Sequence, residues 1–248
     1  MRPEIAEMFA HLPQKSKDVI IEFSDKLVES LGENLSSIIL FGSAAEGEYI
    51  EDKSDINILI ILQNIRVVDL TVVMETGKKY AKKGLAIPFI FEREHIETSL
   101  DTFPIEFCDM RKRHILLYGA DPLINAEIER TNLRYQCERE FKSILVNLRR
   151  GFIQTGGKKE NLETLLTGSL SSVIAACRGL IWLKGLAPSD GVDALLNDIE
   201  EKYKADTSSI SRVWHLKKGH SGATATLEAL FDDYCREIAK LASAVDKM

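Results

Sequence analysis

Cysteine is too scarce and too scattered in this chain to support a disulfide framework or a metal centre. The 248 residues include 4 cysteines. Cys108, Cys137, Cys177 and Cys235 lie far apart, with no C-x-x-C pair and no histidine at zinc-ligand spacing. They read as reduced core thiols of a cytoplasmic protein. Long apolar runs are missing too. None approaches the ~20 residues that cross a bilayer, so no membrane partner is expected. Arg2, Glu4 and Glu7 precede any apolar stretch, and no secretory signal is expected. The chain has no internal repeat and no low-complexity segment. A basic excess is also lacking: the formal net charge is −6. Residues 1–120 hold 14 Lys+Arg against 20 Asp+Glu, and residues 121–248 hold 18 of each. An acidic half repels nucleic acid, which is not expected as a partner, but it suits a site that gathers Mg²⁺. An acidic solvated surface accounts for the same charges.

What is present is ordinary globular material, 45% hydrophobic and 28% charged, enough for one large domain or two of average size. Ile20, Phe23, Leu27 and Leu31 repeat at helical spacing, with Gly32 as a stop. Ser36–Phe41 reads as a short strand, 46–54 as a polar loop, and Asp55–Leu62 as a strand central in its sheet. Val67, Leu70, Met74 and Ala81 predict an amphipathic helix closed by Gly84. Leu85–Phe91 predicts a third strand and Phe103–Cys108 a fourth, with Pro104 at its entry. Tyr118–Pro122 is turn chemistry and the best candidate boundary.

Beyond it the pattern is purely helical. One stripe is Leu133, Cys137, Phe141, Ile144 and Leu148; another runs from Leu162 to Ile181. Shorter helices follow near Val192–Tyr203, and the chain closes on Leu227, Leu230, Phe231, Tyr234, Ile238 and Leu241. Strands alternating with helices, then helices alone, predict an α/β (α+β) domain over 1–120 and a helical bundle over 121–248. Several apolar stripes in the bundle suit pairing with a second copy, a possible homodimer.

The chemistry concentrates in two short motifs. Leu40-Phe41-Gly42-Ser43 is a buried strand ending in a Gly-Ser turn, and Ser54-Asp55-Ile56-Asn57 opens the next strand. Residues two apart on a strand share a face, so the Asp55 and Asn57 oxygens point the same way. A Gly-Ser turn beside them lets backbone N–H groups approach a phosphate unobstructed. Each motif alone is ordinary turn or cap chemistry. Their order and closeness, with Glu106 among apolar neighbours on a later predicted strand, are less ordinary.

In that order the motifs resemble the polymerase-β-like nucleotidyltransferase superfamily. Its pattern is strand, Gly-Ser, Asp-x-Asp on the next strand, and a third carboxylate on a later one. The domain order resembles the antibiotic nucleotidyltransferases of the kanamycin and streptomycin type. The resemblance implies a small mixed sheet with ATP or another NTP bound over it and Mg²⁺ between phosphates and carboxylates. It implies that Gly42 and Ser43 hold the terminal phosphates, and that Asp55, Asn57 and Glu106 are the catalytic and metal-ligating residues. Glu106 would also accept the acceptor's proton. Asn57 departs from the pattern's second Asp. Removing one unit charge ~4 Å from a cation costs on the order of 4 kcal/mol before solvent screening. Glu46 stands where relatives carry a basic residue, and is expected to face solvent.

The resulting expectation is Mg²⁺-dependent transfer of a nucleoside monophosphate from an NTP to a hydroxyl of a small-molecule or protein acceptor. The alternative is a catalytically silent nucleotide-binding or interaction module that keeps the fold. The 215–222 and Gly156–Lys159 loops read as connections between helices, with closure over phosphates or an acceptor as the alternative, and Glu138 and Glu140 as solvated residues, with a general base in the cleft as theirs. Arg178 is left between a partner across the bundle and the cleft.

Overall fold

The computed structural model describes residues 9, 11–47, 49, 51, 54–112, 114–124, 126–220 and 226–248; the side chains of Glu46 and Glu97 lie outside the description. Two compact units emerge, one of residues 1–100 with 109–127, the other of 101–108 with 128–248.

The first unit is a four-stranded mixed sheet in the order β3-β2-β1-β4. Its strands are β1 (Leu35–Phe41), β2 (Asn57–Leu62), β3 (Phe89–Glu92) and β4 (His114–Gly119). β1 runs antiparallel to β2 and β4, while β2 and β3 are parallel. As its apolar run predicts, β2 is interior, and Ile58 to Leu62 are all buried. Helices α1 (Gln14–Leu31) and α3 (Val67–Ala81) belong to this unit, with the short α2 (Ser43–Glu46) after β1 and α4 (Arg93–Ser99) after β3. Phe23, Leu27 and Tyr80 share one core with Ile38, Leu40, Ile56, Ile58, Ile60 and Leu62. The even-numbered residues of β2 therefore face that core, and the odd-numbered ones face the opposite side.

Two expectations change here. The helix over 67–81 forms, but on another face: Val67, Leu70, Met74 and Ala81 are exposed, and Asp69, Val73 and Tyr80 are buried. A buried Asp69 is tolerable because Arg66 donates to both of its oxygens, at 2.8 and 3.0 Å. The third strand is shorter than predicted. Leu85 makes an isolated parallel bridge to Ile56, and pairing resumes only at Phe89, because Pro88 has no N–H to give the ladder.

The predicted fourth strand at 103–108 is overturned. Pro104–Lys112 is a helix, α5. Pro104 sits at its first position, Glu106 in its first turn and Arg111 and Lys112 in its last, all favourable to a helix. A six-residue apolar run does not by its periodicity distinguish strand from buried helix.

The second unit holds α6 (Arg130–Thr155), α7 (Lys159–Leu183), α8 (Val192–Tyr203), α9 (Ser208–Lys217) and α10 (Leu227–Asp246). The predicted stripes meet in one core that includes Phe141, Leu166, Val173, Cys177, Tyr234 and Ile238. α7 has the length and hydropathy of a membrane span, although no such run was expected; its apolar residues pack into this core. Arg178 is buried on it. Burial pushes the Cys177 thiol up to about 12 and Cys137 higher still, which leaves both inert as nucleophiles.

α9 falls partly on the predicted 215–222 loop; residues 221 and 222 lie outside the described part. Its N-terminus is closed from a distance by the buried Glu237, which accepts from the Ser209 N–H at 3.0 Å and from the Ser208 hydroxyl at 3.3 Å. Glu237→Ala orphans these donors and is expected to cost about 2 kcal/mol in a denaturant melt. Burial raises the Glu237 carboxyl. Its folded-state pKa therefore exceeds the unfolded one, and its contribution is fullest in acid and declines as pH rises through that value. The wild-type advantage should be larger at pH 4 than at pH 7.

Candidate functional site

Gly42 follows β1 with φ 71° and ψ −156°, a region open in practice only to glycine. The chain then turns into α2, with the Ala45 N–H bonded to the Gly42 carbonyl at 2.8 Å. A Cβ placed on Gly42 would sit 3.2 Å from the Asn57 amide nitrogen. The last rung of the ladder, Phe41 opposite Asn57, fixes that approach. Ser43 and Asp55 each lie two residues beyond this rung. The structure thus brings together Gly42, Ser43, Asp55 and Asn57. Asn57 is half-buried and Asp55 exposed. Ile56 between them turns into the core, so Asp55 and Asn57 share the sheet's other face, as the spacing predicts.

Glu106 is not carried by a strand, contrary to the expectation. It lies on α5 in the second unit, where its Oε2 accepts from the Gln136 amide at 2.7 Å, and Gln136 Oε1 accepts from the Ile105 N–H at 2.7 Å. The glutamates on α6 are engaged as surface ion pairs: Glu138 with Arg134 and Lys142, Glu140 with Arg139.

The face around Asp55 and Asn57 includes residues sequence reasoning passed over. Phe41 and Phe89 pack there, their ring centres 5.9 Å apart. His114 pairs with Phe41 across β1 and β4; its Nε2 meets Asp121 at 2.9 Å and its Nδ1 meets the Met110 carbonyl. Beside Asp55 opens a cavity of about 190 Å³ lined by Lys15, Ser16, Tyr49, Glu51, Ser54, Lys82, Lys83 and Gly84. Its lining is of mixed charge, three lysines against the carboxylates of Glu51 and Asp55, which leaves a small positive excess. The Lys-Lys-Gly run after α3 was the signal available for it.

Among the described residues, no three of His, Cys, Asp and Glu come together as a metal site. One carboxylate and one amide oxygen fit a single Mg²⁺ that arrives on a nucleotide, since Mg²⁺ is commonly held by one or two carboxylates plus phosphates and water.

Residues 20–113 match the family model of the nucleotidyltransferase domain. The structure is similar to spectinomycin adenyltransferase AAD(9) from Enterococcus faecialis, solved with ATP and spectinomycin. The TM-score is 0.60 at 13% identity, over 93% of this chain and 99% of that one. A nucleotidyltransferase-like protein from Exiguobacterium sibiricum 255-15 matches with a TM-score of 0.35 at 13% identity, over 93% of this chain and 75% of that one. No curated protein matches.

Proposed function

We propose that this is a cytoplasmic nucleotidyltransferase that takes a Mg²⁺-bound NTP, ATP in the first instance, at the end of the sheet that carries Asp55 and Asn57. It would transfer the nucleoside monophosphate to a hydroxyl of a small-molecule acceptor. The observation that carries the reading is the packing of the Gly42 turn on the Asn57 amide with Asp55 alongside. The shared fold of an adenyltransferase solved with ATP and spectinomycin supports ATP as the donor and a small molecule as the acceptor.

In this reading the backbone at Gly42 and the Ser43 hydroxyl hold phosphate oxygens, and Lys82 and Lys83 offset charge on the polyphosphate tail. Asp55 and Asn57 meet the cation carried by the nucleotide, which when bound neutralises the phosphates and the departing pyrophosphate. The acceptor oxygen bonds to the α-phosphorus as the bond to pyrophosphate breaks, and the hydroxyl proton passes to Asp55.

Calorimetry on the full chain with each NTP, with and without Mg²⁺, tests this. Mg²⁺-dependent binding of ATP is expected, and no binding of any NTP ends the proposal. Lys82→Ala with Lys83→Ala should weaken ATP about tenfold, equivalent to about 1.4 kcal/mol, and leave AMP unchanged. Equal losses for ATP and AMP would remove the lysines from the phosphate tail.

A second reading, nucleotide binding without transfer, is favoured by Asn57 standing where an acidic ligand would add charge. Pyrophosphate release with an acceptor panel separates the two.

A further inference from the structure

The sheet's hydrogen bonds identify the position from which a second acidic side chain would reach the Asp55–Asn57 pair. The Ile56 N–H donates to the Gly84 carbonyl at 2.7 Å, and the Ala86 N–H donates to the Ile56 carbonyl at 3.1 Å. This is a parallel bridge that pairs Ile56 with Leu85. Both side chains lie in the core. Ala86, the next residue and half-buried, therefore faces the other way, opposite Asn57 at one strand spacing (about 4.8 Å) and diagonal to Asp55.

The remaining described neighbours bring little negative charge. Phe41 and Phe89 are apolar, Asn57 is neutral, and the Asp121 carboxylate is turned to His114. Glu51 shares the small cavity with Asp55, but Lys15, Lys82 and Lys83 line it too.

We infer that Ala86 sets the divalent-cation affinity of this face: with a methyl group there, the cation is taken only as part of the nucleotide complex. The inference rests on the nucleotide reading above for what carries the cation, but its central measurement needs no nucleotide. One exposed carboxylate and an amide hold a hydrated divalent ion weakly, and a second carboxylate on the same face supplies the missing charge.

The experiment is a Mn²⁺ titration of the full chain read by electron paramagnetic resonance, without nucleotide and then with ATP. The native chain alone should bind Mn²⁺ with a Kd of about 1 mM or weaker. Ala86→Glu should tighten that by about tenfold or more, whereas Ala86→Gln, of the same size but uncharged, should not. Adding ATP to the native chain should recruit Mn²⁺ to the protein. Ala86→Asp, with a shorter side chain, repeats the test should the glutamate variant lose its native circular dichroism. Micromolar Mn²⁺ binding by the native chain without nucleotide overturns the inference. So does a well-folded acidic variant with unchanged Mn²⁺ affinity. If instead ATP fails to bind any form while Ala86→Glu still gains Mn²⁺, the assignment of Ala86 survives and the nucleotide reading falls.

Discussion

Gly119→Ala is expected to destabilise the first unit by on the order of 4 kcal/mol, among the larger effects a single substitution produces. Two costs add. Gly119 has φ +83°, where an L side chain is strained by roughly 1–2 kcal/mol. A Cβ there would also lie 1.9 Å from the Ser36 carbonyl oxygen and 3.1 Å from the Ser37 Cα. Those are backbone atoms of β1, which cannot swing aside as a side-chain tip can. Either β4 separates from β1 at the Ser37–Gly119 rung, or β1 shifts and disturbs Ile38, which is fully buried. A lower denaturation midpoint, with the melting temperature down by on the order of 10 °C, is the expected readout. A melt within 2 °C of the native chain would show that the β1–β4 approach is looser than described.

The part of the candidate site legible in the sequence was the part that depends on neighbouring residues. A strand, a Gly-Ser turn and Asp-x-Asn are local. The period of two that puts Asp55 and Asn57 together follows from strand geometry and needs no knowledge of the rest of the fold. The long bundle helices were equally plain, because stripes such as Leu133 to Leu148 repeat over several turns. The failures were of another kind. Phe103–Cys108 offered six residues without a decisive period, and the tertiary setting made it helix α5, which removed Glu106 from the strand argument. On α3 the apolar residues counted as core, Val67, Leu70 and Met74, are exposed, because the face selected against Phe23 runs through Val73, Gly77 and Tyr80. Ala86 could not be read at all. Its place beside Asn57 follows from a parallel bridge between segments separated by a helix, and parallel register is set by the fold rather than by either segment's own pattern.

Gly42→Ala should abolish most nucleotide affinity, on the order of a hundredfold or about 2.7 kcal/mol, while leaving the protein folded. The backbone at φ 71° and ψ −156° lies in a region that costs a non-glycine residue about 1–3 kcal/mol. The new methyl would stand 3.2 Å from the Asn57 amide, closer than an ordinary contact. The turn lies at the end of β1, so the strain can be relieved by moving Gly42 and α2 without unravelling the ladder from Leu35 to Phe41. That movement displaces the N–H groups assigned to phosphate and the amide assigned to the cation. A double-mutant cycle separates this from a general loss of stability. Asn57→Gly removes the group the methyl meets, so Gly42→Ala should cost less stability in that background than in the native chain, by more than about 0.5 kcal/mol. Additive costs would mean that Gly42 and Asn57 do not touch, and the convergence of the turn with Asp55 and Asn57 would lose its strongest support.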